Sequence, residues 1–245
     1  MEAKHIIRDA VQRVTQLRQT AAESPALARA IGEVKQFQAR RFAGTYADFL
    51  HSVTYKPVAL FFLEELYSAK DYAARDAQFS RIAGALERLF PHQVVQTAVS
   101  MAQLHCLTEE LDLAMGQSWM VNTSDPEVAR YLKAWRAVGR RADRDRQLAT
   151  VMEVGYELDQ LTRAPGLRRL LKMMRGPASL AGLGSLQRFL ESGFDTFAAM
   201  GGHGEGAAFF LNAVLARESA LIARLFDAES VACETEISQL LGQPR

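Results

Sequence analysis

The composition of this 245-residue chain is that of a globular protein with balanced charge. Hydrophobic residues make up 49% and charged residues 23%, and 29 basic against 28 acidic side chains give a formal net charge of +1. Proteins that bind nucleic acid usually carry a basic excess, so we expect no nucleic-acid partner. No uninterrupted apolar run approaches the roughly 18 residues of a membrane span, so we also expect no transmembrane segment.

Helical periodicity begins at the amino terminus, and strand signals are absent along the chain. The apolar spacing predicts a first helix over Ala3–Ala22. Ser24 is a favourable N-cap and Pro25 suits the first helical position, so a second helix is predicted to start there. A short piece over 46–51 then leads to a helix that is entered through Lys56-Pro57.

Further helices fill the rest of the chain. They are predicted over residues 71–90, with Asp71 as N-cap, and over 91–116, 126–138, 178–200, 205–226 and 229–241. The charged run 140–146 is predicted to be a solvated turn or helix start. These elements predict a single all-α domain over 1–245, a bundle of roughly eight to ten helices. A subdivision near 122–126 is the alternative.

The stretch Phe61-Phe62-Leu63-Glu64-Glu65-Leu66-Tyr67 is apolar almost all the way round a helix, yet it carries two adjacent carboxylates. A buried carboxylate costs several kcal/mol unless it is paired. We therefore expect Glu64 or Glu65 to be buried against a partner or to face a cavity. Arg75 and Arg81 are natural counter-charges, because guanidinium pairs with carboxylate through two hydrogen bonds.

A second unusual segment covers residues 94–115. His105, Glu109 and Asp112 fall on an otherwise apolar sector of this predicted helix, at spacings of four and three residues that place them on one surface. A histidine and two acids on an apolar face form the most site-like constellation in the sequence. Cys106 adjoins this group and Cys233 lies near the carboxyl terminus, and two cysteines in helical stretches favour a reduced, cytoplasmic protein.

Together the two segments predict a buried polar network or ligand-binding site. Its members are Glu64, Glu65, Asp71, Arg75, Asp76, His105, Glu109 and Asp112. One interpretation is a closed network that fixes the register of the helices. A second is an apolar or amphipathic ligand pocket with these polar groups at its floor.

A metal site is the third interpretation and is not favoured. Carboxylate-bridged sites in helical bundles take a glutamate from each of two helices and Glu-x-x-His from two others. This chain has His-x-x-x-Glu once, and its single Glu-x-x-His, from Glu2 to His5, lies at the amino terminus outside this segment. Any metal bound here would be held by Glu65, His105 and Glu109.

The sequence resembles the FFLEELY-motif family of uncharacterised bacterial proteins. The matching residues are 61–67, Lys70-Asp71, Arg75-Asp76, Phe90-Pro91, Leu104-His105, Glu109 to Asp112 and 177–191. The resemblance implies a bacterial, cytoplasmic protein, and it carries over no activity and no catalytic residue. A looser similarity to haem-oxygenase-like folds would have Gly182 and Gly184, inside a predicted helix, approach a planar cofactor.

The leading hypothesis is a non-enzymatic helical protein that acts by binding a ligand or partner. The alternative is an enzyme or carrier that holds a metal, haem or an apolar small molecule in a central pocket. In that alternative Glu65, His105 and Glu109 would bind the metal or move protons. Whether the chain is an enzyme, which cofactor or partner it takes and which residues are catalytic stay unknown at this stage, and a homo-oligomer stays open.

Overall fold

A computed structural model gives the structure of the chain. It describes residues 2–65, 72–121, 123–201 and 206–242, with the backbone alone for 86–89. Within these ranges the chain is helical and contains no strand, so the all-α prediction is confirmed for them.

The helices are labelled in chain order. The first six are α1 (Ala3–Ala22), α2 (Pro25–Thr45), α3 (Ala47–His51), α4 (Lys56–Glu65), α5 (Ala73–Leu89) and α6 (His92–Trp119). The remaining helices are α7 (Glu127–Val138), α8 (Arg141–Thr162), α9 (Leu167–Met173), α10 (Arg175–Leu180), α11 (Gly184–Met200), α12 (Gly206–Asp227) and α13 (Ser230–Leu241). The predicted count of eight to ten is too low, because short helices such as α9 and α10 carry little periodicity.

The chain divides into two compact units, each built from three stretches of sequence. The first contains Met1–Thr15, Lys70–Cys106 and Thr150–Leu211, and the second contains Gln16–Ala69, Leu107–Ala149 and Asn212–Arg245. Residues 122–126, the predicted subdivision, lie inside the second unit. The single-domain organisation therefore stays a prediction.

Local capping explains where several helices begin. Ser24 has extended backbone geometry, and its hydroxyl accepts a hydrogen bond from the Leu27 N–H at 3.3 Å. Pro25 follows at the first helical position, where no N–H is needed. Glu229 accepts from the Ala232 N–H in the same way at the start of α13. These contacts satisfy N–H groups that have no partner within the helix.

The predicted helix over 178–200 is wrong at its beginning. Gly182 has a positive φ of 69° and ends α10, with the Leu183 N–H donating to the Ala178 carbonyl at 2.7 Å and the Gly182 N–H donating to Ser179 at 3.0 Å. This pairing is a Schellman motif, in which glycine accepts a left-handed conformation that other residues resist. Gly182 and Gly184 therefore flank a helix break, and the glycine-rich helix of the haem comparison does not form.

The core of the first unit joins residues from α1, α5 and α6. Ile7 and Ala10 on α1 pack with Ala83 on α5 and with Val99 and Ala102 on α6. These residues share the apolar faces that the helical spacing predicts.

Aromatic side chains dominate the core of the second unit. Phe37 on α2 stacks on Tyr131 with ring centroids 4.2 Å apart, and the buried Trp119 and Trp135 pack beside them. Arg144 stacks on Trp135 with its guanidinium carbon 4.1 Å from the ring centroid. Arg144 is buried, so the predicted solvated run 140–146 is wrong at this residue, since a guanidinium can pack flat on an aromatic face.

Helix α12 is the one helix in the described ranges that is long and apolar enough to cross a membrane. The expectation of no such segment overlooked it because Arg217 and Glu218 interrupt its apolar run. Buried residues make up 39% of its most apolar window, with Phe210 and Leu225 fully buried. A core helix of a soluble protein meets the same criteria, so length and composition alone do not establish a membrane span.

A buried ion pair joins α2 and α12 within the second unit. Arg41 and Glu218 are 5% and 7% exposed, and they pair with each other while the Tyr46 hydroxyl donates to Glu218 at 3.0 Å. Both charges are withdrawn from water, so each depends on the other for electrostatic stabilisation.

We expect Glu218→Ala to lower the free energy of unfolding by about 3–5 kcal/mol, because it leaves Arg41 buried without its counter-charge. Urea unfolding followed by circular dichroism measures the loss. Glu127→Ala is the matched control, because it removes the exposed partner of Arg40 and should cost less than about 1 kcal/mol. Equal losses in the two variants would contradict a buried role for Glu218.

Candidate functional site

An apolar cavity of about 150 Å³ lies within the first unit. Sixteen of its twenty lining residues are apolar, which makes it a hydrophobic pocket rather than a water-filled cleft. The apolar lining comes from α1, α5, α6, α8, α9 and α11 and from the residue before Pro91. It consists of Val11, Phe79, Ile82, Phe90, Val94, Ala98, Met101, Ala102, Leu158, Leu161, Leu167, Leu171, Leu186, Phe189, Leu190 and Phe194.

Three of the four polar lining residues form one connected group. His105 Nε2 lies 2.9 Å from Asp76 Oδ2, and Arg75 Nε lies 3.9 Å from Asp76 Oδ1. The Asp76 side chain is 8% exposed and that of His105 is 22% exposed. The fourth, Thr97, donates its hydroxyl to the Gln93 carbonyl at 3.0 Å. The pocket therefore combines a large apolar wall with one charged and hydrogen-bonded patch.

Aromatic rings hold Arg75 in place. Its guanidinium carbon lies 4.0 Å from the ring centroid of Tyr72 and 4.5 Å from that of Phe189, which itself lines the cavity. A guanidinium over aromatic faces gains cation–π attraction that grows as water is excluded. The contact ties the charged patch on α5 to the apolar wall on α11.

Two hydrogen bonds fix α11 against α5. Gln78 Oε1 accepts from the Leu186 N–H at 2.9 Å, which satisfies a free N–H at the start of α11. Arg81 donates to the Gly182 carbonyl at 3.0 Å, in the break between α10 and α11. The sequence predicts Arg81 as a counter-charge for Glu64 or Glu65. In the structure its guanidinium donates to the Gly182 carbonyl.

The predicted polar set is distributed differently from the sequence expectation. Asp76, Arg75 and His105 come together at the pocket. Glu64 on α4 is exposed and Glu65 is half-buried, so Glu65 is the more buried of the two carboxylates.

Leu66 and Tyr67 of the predicted motif lie outside the described residues, as does Asp71, the predicted N-cap. Their predicted roles stay predictions.

Glu109 and Asp112 belong to an ion-pair network within the second unit. Lys35 Nζ lies 3.3 Å from Glu109 Oε1 and 3.5 Å from Asp112 Oδ2, and Arg18 donates to Glu109 at 3.1 Å. All four side chains are mostly withdrawn from water, with Asp112 the most buried at 6% exposed. Two cations and two acids form a compact, neutral group, so these residues fit the closed-network interpretation.

The network shifts the pKa values of its members. Burial raises the pKa of Asp112 above the ordinary range, although the nearby Lys35 ammonium opposes the shift. Burial acts to lower the pKa of Lys35, but Asp112 and Glu109 outweigh it and leave the pKa raised. The folded chain therefore keeps Lys35 charged.

The metal interpretation finds no support in the structure. Across the described ranges, no group of three or more histidine, cysteine, aspartate and glutamate side chains could hold a metal ion. Neither Cys106 nor Cys233 forms a disulfide bond.

A family model for a domain of unknown function, DUF8198, matches residues 17–232. The chain belongs to this family. No curated protein and no solved structure matches the chain. The DUF8198 match therefore defines the relationship without defining an activity.

Sequence reasoning missed several residues that complete the two polar groups of this DUF8198 protein. Lys35 and Arg18 lie 74 and 91 positions from Glu109, and no local pattern connects them. Phe189 lies in the stretch 177–191, and the only reason to notice this stretch in the sequence is its resemblance to the FFLEELY-motif family. The sequence does contain one signal for this network: Lys35 is a cation close to the apolar residues Val34 and Phe37. Both of these side chains are fully buried in the structure.

We expect Lys35→Met to lower the free energy of unfolding at pH 7 by about 3 kcal/mol, because Glu109 and Asp112 then lose the cation that lies within 3.5 Å of both. The pKa of Lys35 is raised above its ordinary 10.5 in the folded chain, so its contribution is complete below that value and is lost as pH rises through the folded pKa. Urea unfolding at neutral and strongly alkaline pH measures both effects.

The exposed Lys56→Met is the matched control and should stay within about 0.5 kcal/mol of the unmodified chain at both pH values. The difference between the Lys35→Met variant and the unmodified chain should shrink at alkaline pH. A difference that stays constant across pH would show that packing, rather than charge, explains the loss.

Proposed function

We propose that this DUF8198 protein binds an apolar small molecule that carries one hydrogen-bonding group. The pocket of the first unit supports this function, because its wall is apolar and its polar atoms are concentrated in Arg75, Asp76 and His105. Ligand sites of this kind use apolar contact for affinity and a few polar groups for orientation.

The volume of the pocket limits the size of the ligand. An engineered cavity of about 150 Å³ lined by leucine, isoleucine and phenylalanine is known to take up benzene, and the present cavity has the same volume and a similar lining. We therefore infer a ligand, or the buried part of one, of about the size of a single aromatic ring or a short aliphatic chain.

The charges of the polar patch favour an uncharged ligand group. Arg75 and Asp76 carry opposite charges that balance each other. A hydroxyl or carbonyl group can exchange hydrogen bonds with this patch without leaving a buried charge unpaired. A ligand carboxylate would instead bring a second negative charge close to Asp76.

Toluene and p-cresol are suitable probes, since they differ by one hydroxyl group. We expect both to bind with a Kd between about 10 µM and 1 mM, the range available to fewer than about ten non-hydrogen atoms. Ala98→Phe should abolish binding by filling the cavity that Ala98 lines. Titrations followed by protein NMR measure the affinities, and thermal unfolding checks that the variant is folded.

Ala28→Phe is the matched control, because it adds the same side chain at an exposed position of α2. It should leave both affinities unchanged. Glycerol, which has no apolar body, should not bind. Failure of both aromatic probes, or equal binding to the Ala98→Phe variant, would overturn the proposed function.

The hydrogen bond between His105 and Asp76 favours a second candidate, an enzyme that uses acid–base chemistry. A histidine held by a carboxylate can accept a proton and keep the new positive charge beside the negative one.

We expect an enzyme of this type to exchange the methyl protons of acetophenone for deuterium in D₂O. His105 would take a proton from the carbon beside the carbonyl, and the resulting enolate would recover a deuteron. NMR follows the loss of the methyl signal. His105→Gln should abolish the exchange, and His92→Gln, at an exposed position, should not. Exchange at the protein-free rate would rule out this enzyme and would not affect the proposed binding function.

The FFLEELY-motif resemblance, with the bacterial origin and cytoplasmic location that it implies, remains part of this proposal. A single domain and a homo-oligomer also remain proposals. The DUF8198 match over residues 17–232 supports the broader statement of an uncharacterised helical family.

A further inference from the structure

Positive charge is concentrated in one part of the first unit. Residues 160–190 contain six basic side chains and no acidic one: Arg163, Arg168, Arg169, Lys172, Arg175 and Arg188. Since the whole chain has a net charge of +1, the remaining residues carry a net charge of −5. Charge segregated in this way attracts an anionic partner to one region.

Neighbouring acids neutralise part of this charge. Arg168 pairs with Asp195 at 2.8 Å, and Arg175 makes two hydrogen bonds with Glu191 at 2.6 and 2.8 Å. Within the described ranges, Arg169 has no ion pair. Lys172 likewise has none there, and both side chains are exposed. Both cations lie on α9 with exposed side chains that an external anion can reach, and Lys172 also acts on Glu191, whose pKa it helps to lower.

Large apolar side chains are exposed beside these cations. Met173 is 68% exposed and Leu170 is 36% exposed on α9, and Leu180 at the end of α10 is 92% exposed. Such side chains are unfavourable in water unless a partner covers them. Leu170 and Met173 share α9 with the exposed Arg169 and Lys172, and Leu180 belongs to the next helix, so this segment suits a partner that is both apolar and anionic.

The arrangement around α9 separates three sectors, at about 100° per residue. Leu167 and Leu171 fall together and line the cavity, which identifies the inner sector. Met173 and Leu170 form a second sector and Lys172 forms a third. Arg169 lies between these two sectors. Cations that flank an exposed apolar strip are typical of helices that lie in the surface of a membrane.

We propose that the outer surface of α9 and α10, formed by Arg169, Leu170, Lys172, Met173 and Leu180, docks onto a lipid surface with anionic headgroups. Arg169 and Lys172 contact the headgroups, and their aliphatic stems allow the charges to stay at that level. The three apolar side chains enter the boundary between headgroups and acyl chains. This docking does not depend on the pocket being occupied.

A vesicle co-sedimentation assay with the full chain tests the proposal. One set of vesicles is phosphatidylcholine alone, and in the other about one third of the lipid is phosphatidylglycerol. We expect binding to the anionic vesicles only, and release when the salt concentration is raised from about 0.1 M to about 1 M, because salt screens exposed charges. A chain that spanned the bilayer through α12 would not be released.

Arg169→Glu with Lys172→Glu should lower the partition coefficient by at least about 25-fold, since each cation near an anionic surface contributes about fivefold. Met173→Ser with Leu180→Ser should lower it by about tenfold through lost apolar contact. Both pairs are exposed, so the fold should be retained, which circular dichroism checks. Arg29→Glu with Lys56→Glu changes the net charge equally at exposed sites and should have a much smaller effect.

Three results would overturn the proposal. The first is equal binding to neutral and anionic vesicles, and the second is an equal loss in the Arg29/Lys56 control. The third is binding to soluble polyglutamate, weakened by the Arg169/Lys172 variant, without binding to vesicles. In that case the surface takes an acidic polypeptide instead of a membrane.

Discussion

A carboxylate that leaves water for a helical core loses several kcal/mol of hydration, and this loss must be offset by a cation or by hydrogen-bond donors. The second unit satisfies this constraint by bringing together side chains from distant parts of the sequence. Lys35 lies between Glu109 and Asp112, and Arg41 reaches Glu218 across 177 positions of sequence. Such pairs constrain which helical faces can meet, because a misaligned helix would leave a charge buried alone.

In the first unit, too, the buried carboxylate of Asp76 has partners that offset its lost hydration, but this polar group lines a cavity. Asp76 has His105 on one side and Arg75 on the other, so its charge is compensated before any ligand arrives. The difference from the Lys35 network lies in the surroundings. The apolar wall beside Asp76 leaves a cavity of about 150 Å³, and there a bound molecule could add contacts that the protein alone does not make.

Much of the helical architecture could be predicted, because helix starts and apolar faces are encoded locally. The spacing of Ile7, Val14 and their neighbours gave the bounds of α1, and Ser24-Pro25 gave the start of α2. The prediction that Gly182 lies inside a helix is wrong. A glycine that ends a short helix and one that lies inside a long helix look alike in a sequence, because only the φ angle distinguishes them.

The candidate site could be predicted only in part. His105 stands out in the sequence as a polar residue on an apolar helical face, and Asp76 belongs to the polar set expected around it; the two side chains lie 2.9 Å apart. The sequence does not reveal that Glu109 pairs with Lys35 and not with Asp76 and His105, because tertiary packing decides which charged side chains meet. The same reason explains Arg144, whose charged neighbours suggested solvent and whose aromatic partner lies on another helix.

Helix α9 connects the two proposals, because different sectors of its seven residues contribute to each. Leu167 and Leu171 form part of the pocket wall, whereas Leu170 and Met173 face outward. An apolar ligand dissolves better in lipid than in water, so a protein that meets a membrane with the outside of its pocket wall would meet its ligand where the ligand is concentrated. The outward apolar residues are then consistent with the inner cavity, since both would serve molecules that avoid water.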